Sequence, residues 1–117
     1  MLLEKFGIGI DIVDVERFSS KQFSENKDFY RKIFNNSEIQ YCLKFKNPYP
    51  HFAGKFALKE AVIKALNKKI NFLNIDTLHE SGSPKIQLKT YENYSSKASL
   101  SHESNIAVAV VLIEFLV

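Results

Sequence analysis

From Phe6 to Val13 the apolar residues Phe6, Ile8, Ile10 and Ile12 alternate with Gly7, Gly9 and Asp11. Period two with β-branched residues predicts a strand, packed on one face and carrying two glycines and a carboxylate on the other. A helical stretch follows, from about Val15 towards Gln22, with Arg17 and Lys21 open to solvent. Asp28 to Ile33 and Glu38 to Leu43 read as short helices, and Asn35 before Glu38 has the capping-box spacing that starts the second. Asn47-Pro48-Tyr49-Pro50 interrupts the pattern, because proline removes a donor and restricts the residue before it. Pro50 is suited to open the next helix, about His51 to Leu66, which is apolar nearly all the way round. Asn67 can end it in the left-handed conformation. Beyond it the pattern is β: a strand at Ile75 to Leu78, a turn at Gly82-Ser83-Pro84, and a second strand through Ile86, Leu88 and Thr90. Ala98 to Ser101 and Ile106 to Phe115 form an antiparallel pair turning at His102-Glu103-Ser104-Asn105. The class is α+β, an antiparallel sheet packed on a long central helix with short helices beside it.

A length of 117 residues suits one domain, 1–117, with no repeat, low-complexity tract or dividing linker. The apolar share of 45% is that of an ordinary globule, and the net charge of +3 is small for a dedicated nucleic-acid binder. Cys42 is the only cysteine, which excludes an internal disulfide or thiolate metal cluster and fits a reducing cytosol. The longest apolar run, Ile106 to Ile113, is far short of the roughly 20 residues of a membrane span. Met1 to Lys5 lacks the basic region and apolar core of a secretory signal. These features predict a soluble, cytoplasmic protein.

Asp11 is costly to bury in an apolar strand unless something pairs with it. Gly7 and Gly9 clear its side of the strand for close approach of a backbone or ligand. An ordinary alternative is that Asp11 starts the following helix or faces water at an edge. Glu60, at roughly 100° per residue, lies beside Ala53, Phe56 and Ala57, with Lys64 one turn on. Its ordinary alternative is a Glu-to-Lys pair at i,i+4. Two carboxylates from separate elements suit magnesium, which takes one or two protein carboxylates together with substrate phosphate oxygens. Lys55, Lys59, Lys64, Lys68 and Lys69 offer counter-charges, although such a run is usually a solvated face. A lone histidine at a strand end, such as His102, is more often structural than catalytic. No G-x-S-x-G elbow is present, and Gly7-x-Gly9 lacks the third glycine of a dinucleotide fingerprint.

Gly7-Ile8-Gly9-Ile10-Asp11, then Phe52-Ala53-Gly54-Lys55-Phe56-Ala57-Leu58-Lys59-Glu60-Ala61 with Lys64, then Gly82-Ser83-Pro84, then Ser99-Leu100-Ser101-His102 resembles the holo-acyl-carrier-protein synthase family of short trimeric phosphopantetheinyl transferases. The resemblance spans almost the whole chain. It implies transfer of the 4′-phosphopantetheine arm of coenzyme A to a serine of an apo-acyl carrier protein in support of fatty acid biosynthesis, with release of adenosine 3′,5′-bisphosphate. It further implies magnesium on Asp11 and Glu60, and catalytic roles for Asp11, Glu60, Lys64 and His102. Coenzyme A would be held by Lys55, Lys59, Lys64, Gly82, Pro84, Ser101 and His102, with His102 at the pyrophosphate and the Gly82-x-Pro84 turn lining the nucleotide pocket. Active sites between subunits of a homotrimer would account for a helix apolar on every side.

The chain departs from the family in three places. Lys55 stands where arginine is usual, which keeps the charge and loses the bidentate fork. Asn67-Lys68-Lys69 replaces a glycine-rich turn. Arg17 matches a basic carrier-docking position on the first helix, whereas Asp28 falls where positive charge is expected. The base that deprotonates the carrier serine stays open between a metal-held water and either carboxylate. Two other classes fit parts of the sequence. A single-stranded nucleic-acid module could use the basic residues and ten phenylalanines, which fall instead at core spacing. A metal-dependent phosphohydrolase could use the same carboxylates.

Overall fold

A computed structural model describes residues 5–116, so the reading of the first four residues as no export signal lies outside the described residues. Strand β1 (Phe6–Asp14) leads into a single helical turn, α1 (Glu16–Ser19), and a 3-10 turn at Phe23–Glu25. The helices α2 (Lys27–Arg31), α3 (Asn36–Leu43) and α4 (Tyr49–Leu66) follow. A second 3-10 turn (Phe72–Asn74) precedes β2 (Ile75–Glu80), β3 (Ser83–Leu88), β4 (Tyr94–Glu103) and β5 (Ile106–Phe115). The strands form two antiparallel sheets, β1-β5-β4 and β2-β3. The α+β class holds.

Local chemistry explains most of the element ends. Asn35 accepts from the Glu38 amide at 2.9 Å, and Glu38 accepts from the Asn35 amide at 2.8 Å, closing the capping box that starts α3. Helix α4 begins two residues before the expected His51, because prolines at its start forfeit only N–H groups that have no partner in a first turn. It ends at Asn67, whose φ of 52° and ψ of 38° are left-handed. Helix α1 is shorter than expected: the Tyr30 hydroxyl is shared between the carbonyls of Phe18 and Lys21, which turns the chain towards α2. The β2–β3 turn is Ser81-Gly82, both at positive φ (51° and 79°), as a two-residue hairpin turn requires. Ser83 and Pro84 therefore belong to β3, and Pro84 faces His79 across the ladder. His102 and Glu103 likewise lie in β4, and the turn is Ser104-Asn105.

The face of β1 that packs is the reverse of the one expected. Gly9 and Val13 are buried, whereas Ile8, Ile10 and Ile12 are 70%, 57% and 67% exposed. A β-carbon on Gly7 would stand 1.9 Å from the Ala65 carbonyl oxygen, and one on Gly9 would stand 1.8 Å from that of Ala61. Glycine thus lets the strand lie directly on the backbone of α4, with Ala107 and Ala109 of β5 continuing the small surface. Around the other sides of α4, Phe18, Tyr30, Phe34, Phe52 and Phe56 pack ring against ring. The all-round apolar helix is buried within its own chain; the uncovered apolar surface is the outer face of the β1-β5-β4 sheet. No helix among the described residues is long and apolar enough to cross a membrane.

Candidate active site

Asp11 follows Gly7 and Gly9 on the inner face of β1, where the strand passes over α4. Its carboxylate is largely covered and takes a proton donor from outside its own element. Lys64 Nζ donates to Asp11 Oδ1 at 3.1 Å and to the Ile10 carbonyl at 2.9 Å. The expected alternative, a Glu60–Lys64 pair along the helix, is not formed: the lysine reaches the strand instead. Glu60 lies one turn before Lys64, half-buried, with no ion pair among the described residues. Lys64 has three donors and uses two, and its side chain is 52% exposed, so the third can meet a further anion.

Among the described residues no group of three or more His, Cys, Asp and Glu side chains could cage a metal. Two carboxylates from separate elements suit an ion that leaves most of its shell to water and phosphate. Asp11 Oδ2 and the Glu60 carboxylate are the hard donors available for it.

His102 shares the inner face with Asp11, two strands away. Asp11 faces Ala109, which faces Leu100, and His102 lies two residues further along β4. Ordinary strand spacing and rise then put the two about 12 Å apart. His102 Nε2 lies 3.2 Å from where a β-carbon of Gly54 would be, so the absence of a side chain in α4 makes room for its ring. From Gly54 to Glu60 the helix rises about 9 Å. One chain therefore carries two groups: Asp11, Glu60 and Lys64 at one level of α4, and His102 near its start. Ser101 turns to the outer face, opposite Val108, and lines a cavity at the β4–β5 turn together with His102.

Two lysines expected at phosphates are buried in the protein. Lys59 is fully enclosed and donates to Glu38 Oε1 at 2.8 Å, the Ile33 carbonyl at 2.8 Å and the Phe72 carbonyl at 3.1 Å. All three donors are occupied, so the expectation that it contacts coenzyme A is corrected: it ties α4 to α3 and to the turn before β2. Lys55 is 2% exposed and donates to the carbonyl and hydroxyl oxygens of Thr77, both at 3.1 Å. Burial pushes both ammonium groups below their ordinary value, against the pull of Glu38. Glu38 completes the network by accepting from the amide and hydroxyl of Thr77. Sequence reasoning found the Asn35–Glu38 cap and missed that its carboxylate is also the counter-ion of Lys59, since nothing in the spacing brings α3 onto α4. Lys68 and Lys69 are exposed. Pro84 lines a cleft of about 360 Å³ between β3 and β4, with Lys85 and Lys97.

Arg17 is exposed on α1 and lies over the Phe56 ring at 4.8 Å. Phe18, Phe34, Phe52 and Phe56 are buried and build the core, whereas Phe45 is 38% exposed.

Residues 7–111 match the family model described as the 4′-phosphopantetheinyl transferase superfamily. The chain is 43% identical over 110 residues to a holo-[acyl-carrier-protein] synthase of Thermodesulfovibrio yellowstonii, the match covering 92% of this chain and 96% of the relative. Among solved structures it is similar to the Helicobacter pylori holo-[acyl-carrier-protein] synthase in complex with coenzyme A, at 37% identity and a TM-score of 0.80, covering 92% of this chain and 99% of that one. The Bacillus anthracis holo-(acyl-carrier-protein) synthase in complex with CoA (3′,5′-ADP) is 29% identical, with a TM-score of 0.80 over 94% of this chain and 96% of that one.

Proposed function

This chain belongs to the 4′-phosphopantetheinyl transferase superfamily, and from that membership we propose that it is a magnesium-dependent holo-acyl-carrier-protein synthase, one domain spanning 1–117, whose sites are completed between copies in a homotrimer. It transfers the 4′-phosphopantetheine group of coenzyme A to a serine of apo-acyl carrier protein and releases adenosine 3′,5′-bisphosphate. The holo-carrier supports fatty acid biosynthesis in the cytoplasm. The observation that carries the reading is Asp11, set on the strand that glycines lay against α4 and paired with Lys64 one turn from Glu60.

The reaction forms a bond from the serine oxygen to the phosphorus nearest the pantetheine. The bond from that phosphorus to the bridging oxygen breaks, and its electron pair leaves on the 5′-phosphate of adenosine 3′,5′-bisphosphate. Such a transfer needs positioning and charge neutralisation rather than a protein nucleophile. Asp11 and Glu60 are the residues that would hold magnesium; bound there, the ion would neutralise charge on the pyrophosphate. Lys64 supplies a fixed positive charge, its free N–H directed to a phosphate oxygen while the other two brace Asp11 and the strand. His102, in the space left by Gly54, donates to the pyrophosphate from the other level of α4. Gly82 and Pro84 shape the nucleotide end, with Pro84 in the cleft beside β4. The serine proton goes to one of the two carboxylates or to solvent.

Two features support assembly. The outer sheet face presents Ile8, Ile10 and Ile12 with Ile106 (46% exposed) and Leu112 (37%), an apolar surface that water disfavours. The site is also divided within one chain, with Ser101 on that outer face, where a neighbouring copy would meet it. Arg17 and Lys21, both exposed at α1, are the cations offered to an acidic carrier, and Asp28 reduces their field.

The test is the intact mass of apo-acyl carrier protein after incubation with the protein, coenzyme A and magnesium. The carrier gains one phosphopantetheine arm, and the gain is abolished by chelation and reduced at least about 100-fold in Asp11→Ala and Glu60→Ala. Unchanged transfer in both variants would sink the metal assignment. Phosphate release from coenzyme A without a carrier would identify a phosphohydrolase instead.

A further inference from the structure

Helix α2 holds Lys21, just past the end of α1, by both its backbone and its side chain. The hydroxyl of the fully buried Tyr30 donates to the Lys21 carbonyl at 2.8 Å and to the Phe18 carbonyl at 2.9 Å. The Phe18 carbonyl also accepts from the Lys21 amide at 2.9 Å, whereas that of Lys21 takes no other hydrogen bond among the described residues. The Lys21 side chain turns back over the neighbouring ring of α2, its Nζ 4.3 Å from the centre of Phe29. Phe29 and Tyr30 meet edge to face, 5.3 Å between centroids and 90° between planes. Phe18, Phe23 and Phe52 pack on the Tyr30 ring, Phe52 at 4.6 Å. Burial pushes the Tyr30 hydroxyl above its ordinary value, so it stays protonated and remains a donor.

Arg17 and Lys21 are both exposed, and neither is in an ion pair among the described residues. Arg17 is seated in the same manner, over Phe56, one helical turn before Glu60. A cation on a ring face is confined to one place and keeps its outward hydrogens for a further anion. A long side chain free in water loses rotamer freedom when it binds. One that is already confined loses less, so its contact with a carboxylate is tighter.

We propose that Tyr30 and Phe29 are positioning residues for the carrier protein, holding Lys21 where it meets a carboxylate on the carrier's acidic face. The inference rests on the transferase reading and adds to it two residues of α2 that the reaction itself does not use. Tyr30 acts on the backbone of Lys21, and Phe29 acts on its charge. Loss of either contact keeps the cation but releases it from its seat. Carrier docking then weakens, while the chemical step and coenzyme A binding are untouched.

Steady-state kinetics of the full chain with magnesium separate the two substrates, varying apo-acyl carrier protein at saturating coenzyme A and then the reverse. Tyr30→Phe removes only the hydroxyl. In it, KM for the carrier rises about three- to fivefold, the size of one exposed ion-pair contact, while kcat and KM for coenzyme A stay within about twofold. Phe29→Leu behaves in the same way. High salt erases the difference from wild type, because the contact joins exposed charges. In a Lys21→Ala background, Tyr30→Phe adds no further rise, since both changes act through one lysine. A merely structural role predicts fewer active molecules, with kcat lowered and both KM values unmoved, and that result overturns the assignment. So does an equal rise in both KM values, a full further rise on top of Lys21→Ala, or an unchanged carrier KM in Lys21→Ala alone. If Tyr30→Phe does not fold, Phe29→Leu and its combination with Lys21→Ala decide by the same criteria. Failure of the wild type to modify the carrier at all overturns the transferase reading itself.

Discussion

Gly9 stands where no side chain fits, because a β-carbon there would lie 1.8 Å from the Ala61 carbonyl oxygen and 2.9 Å from the Ala65 amide nitrogen. These are backbone atoms of a helix, which cannot rotate aside as a side chain can. Gly9→Ala must lift β1 from α4, and with it the Lys64 contacts to Ile10 and Asp11. A loss of about 3 kcal/mol in urea unfolding is expected, at the upper end of overpacking costs. Carrier modification should fall further than stability alone requires, since Asp11 loses its register. A loss below about 0.5 kcal/mol would mean that the close approach is not maintained in solution. Gly54 differs in kind: what its β-carbon would meet are the side chains of Leu100 and His102, so it makes room for side chains rather than for a backbone.

At the scale of elements, the buried pair of Lys59 and Glu38 decides how α3, α4 and β2 meet. Glu38 accepts from its own cap, from Lys59 and from Thr77, so one carboxylate closes three junctions. Removing the cation leaves that charge buried with fewer partners. Lys59→Met is expected to cost about 3–5 kcal/mol in chemical unfolding. The double variant Glu38→Gln with Lys59→Met should cost clearly less than the sum of the two single changes, since contacting partners couple. Additive losses would show that the pair does not act as a unit. Because Glu60 is the next residue on the helix, this buried anchor also fixes the rotation at which α4 presents its carboxylate.

On the scale of the whole molecule, the question is what covers the outer face of the three-stranded sheet. Ile8, Ile10 and Ile12 point away from their own core, and β5 adds Ile106 and Leu112. In sedimentation velocity the wild type should run as a trimer, and Ile10→Glu should shift it to monomers while leaving the circular dichroism of the fold in place. Transfer activity should fall with the assembly. A monomeric wild type with full activity would remove the basis for sites shared between copies.

The elements were legible in the sequence where the cause is local. Alternation marks β1, the Asn35–Glu38 spacing marks the start of α3, and Asn67 marks the end of α4. The α+β class could likewise be read from order and type along the chain, and Asp11, Glu60, Lys64 and His102, the residues proposed to carry the chemistry, were singled out there too. Orientation could not. Period two says that a strand has two faces and does not say which one meets the helix; glycine and alanine backbones in contact decided that, and left the isoleucines outside. Spacing offered Lys64 to Glu60, and the fold gave it to Asp11. Lys55 and Lys59 read as counter-charges for coenzyme A phosphates, with a solvated face as the ordinary alternative, while the buried acceptors that hold them come from Thr77, Glu38 and distant carbonyls. Sequence thus determined which groups the protein has to work with. Tertiary structure decided which face, which partner and which level of α4 each occupies, because those depend on contacts between elements that no local period encodes.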